Sequence, residues 1–231
     1  MRILFFDMEF ADGKVPGSIF SFGYVVTDEE FCVLEESRDL LINPESTWND
    51  YVKEHVLAYP MEQIEAAPNF SDRYEHLKAL FESVDLAVGF SVSNDNRALR
   101  RACERYGLPV LTYRFMDVEK LCRRMEEHRD AHGLGGCFAA WCDGVALHAH
   151  RSDGDAVTTM LLLKAICEAK HVDAEMMAIA YPECLGEMQV QDASKKRDAK
   201  ETSLKARRRR PRRSRGKGQT SCAQAEKGVL L

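Results

Sequence analysis

Ile3-Leu4-Phe5-Phe6 is an unbroken apolar run stopped by Asp7, and a run this short predicts a strand over residues 3–8 buried on both faces. After the turn-rich stretch Asp12-Gly13-Lys14-Val15-Pro16-Gly17, residues 19–27 and 31–42 carry the β-branched and aromatic content of two further strands. The short link Asp28-Glu29-Glu30 makes these an antiparallel pair. Tyr74, Leu77, Leu80 and Phe81 recur at helical spacing over residues 71–83, with Ser71 as the N-cap, and a buried strand over 86–90 follows. Ala98, Leu99, Ala102 and Tyr106 share one face of a helix over 95–106 that Gly107-Leu108-Pro109 stops. A fifth strand over 110–115 leads into a helix holding Val118, Leu121, Cys122 and Met125. Beyond a glycine-rich break at 133–136, the last strong helix covers 155–170. The expected architecture is an α/β fold with a mixed five-stranded sheet, a three-strand antiparallel meander extended by parallel strands through helical crossovers.

Charge divides the chain in two. Residues 191–231 hold 14 Lys/Arg against 4 Asp/Glu, a net +10, and residues 1–190 are then −15. A run such as Arg207-Arg208-Arg209-Arg210-Pro211-Arg212-Arg213, with few large apolar residues, cannot offset its ordering entropy by burial. A catalytic-size domain over residues 1–187 and a disordered basic tail over 188–231 are therefore expected. So acidic a domain repels polyanions unless its carboxylates gather divalent cations or a separate basic element supplies the attraction. The 8 cysteines lack the regular spacing of a disulfide scaffold, which favours reduced thiols. The apolar opening is too short for a signal peptide or a membrane span, so a soluble cytoplasmic protein without a membrane partner is expected.

The candidate chemistry lies in the acids. Asp7 and Glu9 are two residues apart at the end of the first strand, so alternation points both to one face. Charges where a buried strand emerges are costly unless metal or partners neutralise them. Asp95 opens the helix after the 86–90 strand, at the sheet edge where ligands collect in open α/β folds, although helix capping also explains an acid there. The third cluster is His150-Arg151-Ser152-Asp153-Gly154-Asp155-Ala156, at the mouth of the last helix.

Asp7-Met8-Glu9, the stretch from Gly89 to Asp95, and His150 followed five residues later by Asp155-Ala156 resemble the three exonuclease motifs of the DEDDh family. That family includes the polymerase III proofreading subunit, ribonuclease T and oligoribonuclease, and the likeness runs over about residues 2–170. It departs at Phe10, where many members have Thr, and at Phe90-Ser91, where a His-Asn pair is common. Asp153 competes with Asp155 as the third-motif acid. Roughly 200° of helical rotation separates the two, so one of them faces the site, and the spacing from His150 favours Asp155.

The resemblance implies a ribonuclease-H-like fold and a 3′→5′ exonuclease using two divalent cations, Mg²⁺ or Mn²⁺. It further implies that Asp7 bridges the ions, that Glu9 and Asp155 complete the nucleophile-side metal, and that Asp95 supports the other. His150 would be the general base, with Glu9, Phe10 and His150 against the substrate. The implied partner is nucleic acid with single-stranded or frayed 3′ ends, and a polymerase is a further partner open to it. Two other readings stand beside this one. The chain is alternatively a non-catalytic nucleic-acid-binding protein acting through its basic tail. A zinc site from Cys137, Cys142, His148 and His150 is the weaker rival, because these spacings do not form the usual paired knuckles.

Overall fold

One six-stranded sheet organises the chain, and the computed structural model describes residues 1–145 and 150–189 of it. The strands are β1 (Ile3–Phe10), β2 (Ile19–Thr27), β3 (Val33–Leu41), β4 (Leu86–Gly89), β5 (Tyr113–Asp117) and β6 (Leu185–Met188), in the spatial order β3-β2-β1-β4-β5-β6. β1, β2 and β3 form the antiparallel meander. β4 joins β1 in parallel, β5 joins β4 in parallel, and β6 returns antiparallel to β5. The mixed α/β architecture is as expected, but the sheet has a sixth strand. Leu-Gly-Glu-Met is too short to show an alternation, and it becomes a strand because the edge of β5 offers it a ladder. Gly186 is part of that fit, since a Cβ there would strike the ring of Phe115. β6 therefore crosses the expected boundary between residues 187 and 188, and the basic tail lies outside the described residues.

The helices are α1 (Asp50–His55), α2 (Met61–Glu65), α3 (Phe70–Glu82), α4 (Ser93–Tyr106), α5 (Val118–Arg124), α6 (Gly133–Cys142), α7 (Ser152–Lys170) and α8 (Ala174–Ala180). Asn69, not Ser71, caps α3, its side chain accepting from the Asp72 amide at 3.1 Å. The glycines at 133–136 form the first turns of α6 rather than a break. β5 starts later than the local hydrophobicity suggests because its pairing with β4 sets its position, from Phe115 opposite Ala87 to Asp117 opposite Gly89. Among the described residues, no helix is long and apolar enough to cross a membrane.

Two apolar layers sandwich the sheet. Ile3 and Phe5 pack with Val118, Leu121, Leu163 and Ile166 on the side of α5 and α7. Leu4, Phe6 and Met8 pack with Leu77, Phe81, Leu99 and Ala102 on the side of α3 and α4. Alternation along β1 therefore sends Asp7 and Glu9 toward the α7 side. Gly23 on β2 lies directly opposite Asp7. A Cβ at that position would overlap the backbone of Ser152 and Asp153, so its absence lets the start of α7 settle onto the sheet beside Asp7.

Candidate active site

Asp7 and Glu9 come from the carboxyl end of β1 and Asp155 from the first turn of α7. One carboxylate oxygen of each lies within 4.8 Å of the others, which among the described residues is the group of acids, histidines and cysteines able to share an ion. Asp95, in the first turn of α4, is buried at 5% exposure and acts electrostatically on Asp7. His150 is exposed just ahead of α7, with its backbone in the left-handed region at φ 68°. Its amide N–H donates to Asp155 Oδ2 at 3.2 Å. Asp153 is turned elsewhere: Arg151 grips it with two hydrogen bonds, Nε to Oδ1 at 3.0 Å and an Nη to Oδ2 at 2.8 Å. The two acids of this helical turn thus have different partners.

Burial and mutual repulsion disfavour the ionised form of this cluster. Burial and then the charges of Asp95, Glu9 and Asp155 hold Asp7 well above the usual carboxylate range. Burial and the charges of Asp155 and Asp39 push Glu9 up to about 8. Burial also raises Asp155, against the opposing pull of the His150 amide and the His150 charge.

These shifts predict a pH dependence. A carboxyl whose folded pKa is raised stays protonated in the fold after the unfolded chain has lost its proton, so its contribution to stability falls as pH rises. For Glu9 that window runs from 4.5 to about 8. A bound cation must displace the same protons, so Mg²⁺ should raise the melting temperature more at about pH 8 than at about pH 5.5. Glu9→Gln should flatten the difference. Paired thermal melts with EDTA and with Mg²⁺ check this, and an equal Mg²⁺ shift at both pH values would remove these acids as the cation site.

Several residues at the site carry no sequence motif. Asp117, buried at the end of β5, accepts from the amides of Glu119 and Lys120 and from that of Ser91. It thereby holds Ser91, at φ 57°, in the loop that leads to Asp95. Asp39 on β3 accepts from Ser21, Tyr59 and Ser152. Phe10, half-buried, lines a cleft of about 380 Å³ together with Lys14, Asn94, Arg97 and Arg101. The thiols of Cys137 and Cys142 point to the backbone carbonyls of Ala131 and Leu161, and neither belongs to the ion-sharing group. His148 lies outside the described residues.

No protein-family model and no curated protein sequence matches the chain. Solved structures share its fold. The crystal structure of cell-death related nuclease 4 (CRN-4) matches with a TM-score of 0.59 at 16% identity, covering 73% of this chain and 64% of that one. The nuclease domain of 3′hExo, a DEDDh family member bound to rAMP, matches with a TM-score of 0.60 at 12% identity, covering 73% and 92%. Exonuclease I of E. coli in complex with a dT13 oligonucleotide matches with a TM-score of 0.59 at 16% identity, covering 72% and 41%. The chain thus spans less than two thirds of CRN-4 and of exonuclease I, but nearly all of the 3′hExo nuclease domain. At these identities the likeness is one of fold, and the chain has the ribonuclease-H-like fold of the DEDDh-type 3′→5′ exonucleases.

Proposed function

We propose that the chain is a divalent-cation-dependent 3′→5′ exonuclease acting on single-stranded or frayed 3′ ends of DNA or RNA. The observation that carries this reading is the convergence of Asp7, Glu9 and Asp155 within 4.8 Å, from two elements far apart in sequence. A donor group made only of carboxylate oxygens suits Mg²⁺ or Mn²⁺. Asp7, Glu9, Asp95 and Asp155 would hold two such cations, whose chemistry when bound is to lower the pKa of a water and offset charge on the leaving 3′ oxygen. His150, exposed beside Asp155, would accept the proton of the attacking water. The backbone at Glu9 and Phe10 would receive the terminal sugar, and the Phe10 ring would stack on a base. Lys14, Arg97 and Arg101, around the same cleft, would face phosphates.

Digestion of end-labelled DNA and RNA oligonucleotides with Mg²⁺, Mn²⁺ or EDTA tests the proposal. Stepwise shortening from the 3′ end that EDTA stops is the expected result. Retarded but uncut strands would favour a protein that binds nucleic acid through its basic tail.

The tail should act on affinity rather than on bond cleavage, since +10 behind a −15 unit raises the local concentration of strands. Truncation after Val190, which keeps β6, should leave turnover at saturating substrate nearly unchanged. Apparent affinity for long strands should fall and depend less on salt, while a dinucleotide should be cleaved as before. Rates and apparent affinities across a salt series check this, and equal loss on dinucleotide and long strand would place the tail in the catalytic structure.

A further inference from the structure

We infer that Asp39 is a positioning residue for the cation-binding acids: through Ser21, Ser152 and Tyr59 it locks the first turn of α7 onto the sheet at the depth that brings Asp155 to Asp7 and Glu9. This rests on the reading of those acids as a cation site. Asp7, Gly23 and Asp39 lie side by side across β1, β2 and β3, each the direct partner of the next. Laterally aligned residues share a face, so the two acids flank the slot that Gly23 leaves empty, and the backbone of Ser152 and Asp153 fills that slot. Asp39 closes it from the side opposite Asp7. Its Oδ1 accepts from Ser21 Oγ at 2.5 Å and from Ser152 Oγ at 3.4 Å, and its Oδ2 accepts from Tyr59 Oη at 2.9 Å. Ser21 and Ser152 are buried at 1% and 0% exposure and also touch each other through their hydroxyls.

The Asp39 network adds a side-chain anchor to the Gly23 slot at the start of α7. No side chain caps this helix at Arg151, whose guanidinium instead grips Asp153 and lies 5.4 Å over the Tyr59 ring. Arg151 and Asp39 thus both converge on Tyr59, which comes from the segment between α1 and α2. A helix start without its own cap takes its depth and rotation from what it is bolted to. Here the bolt is Asp39, and Asp155 follows one turn later.

The test uses the full-length chain freed of metal, titrated with Mn²⁺ by electron paramagnetic resonance, alongside hydrogen exchange of the α7 amides. Asp39→Ala should weaken Mn²⁺ binding by about 10–100-fold, the range for partners that orient ligands. It should also speed exchange of the Asp155 amide, which donates to Arg151 O at 2.8 Å. Asp39→Asn keeps an acceptor for Ser21 and should lose less on both measures. Ser152→Ala, which leaves every charge in place, should move both in the same direction as Asp39→Ala and covers the case in which Asp39→Ala does not fold. A purely structural role would lower the melting temperature while the folded variants bind Mn²⁺ like the wild type, and that result overturns the proposal. A wild type that binds no Mn²⁺ sinks the cation reading instead, and the exchange rates then still judge whether Asp39 docks α7.

Discussion

Asp7→Ala and Asp155→Ala should each reduce strand cleavage to the level of the wild type in EDTA, while the metal-free variants melt no lower than the wild type. The loss of activity follows from geometry, because Asp7, Glu9 and Asp155 present oxygens within 4.8 Å of one another and removing one leaves an incomplete donor group. The retained stability follows from charge. Burial and neighbouring acids hold both carboxyls above their ordinary range, so near neutral pH each costs the apo fold something that alanine does not. Asp155 also accepts one hydrogen bond, from the His150 amide, which is exposed and can turn to water. Single-turnover cleavage of a labelled oligonucleotide, with melts in EDTA, reads both effects. Full activity in either purified variant would remove that residue from the cation site, and a large drop in melting temperature would mean the acids support the fold rather than strain it.

The second large effect is expected at His150. With an imidazole as general base, His150→Ala should slow cleavage by roughly 10²–10⁴, with Mn²⁺ binding and substrate affinity little changed. The residue is exposed, it precedes α7, and its backbone is in a region that His tolerates better than most residues. Loss of Mn²⁺ binding in the variant would instead make His150 a ligand. An unchanged rate would leave the proton transfer to another group.

The convergence of the candidate acids was partly legible along the chain because it is written in short-range periodicity. Ile3 to Phe6 is apolar without a break, so β1 had to be a central strand, and two-residue alternation then put Asp7 and Glu9 on one face. Helical rotation between Asp153 and Asp155 stated that the two acids face different ways, and the spacing from His150 favoured Asp155 as the one that faces the site, without a physical reason for the choice. The missing information was lateral. Arg151 takes Asp153, and Gly23 opposite Asp7 admits the start of α7, because strand register places those residues together. Asp39, Tyr59 and Ser152 lie in three distant segments and carry no shared spacing, yet one carboxylate joins them. β6 was hidden for the same reason, four residues whose pairing exists through the edge that β5 presents. Local pattern decides which face a residue takes and which element it joins. How deeply one element settles on another depends on contacts between residues far apart in the chain, and here that depth is what brings Asp155 to Asp7.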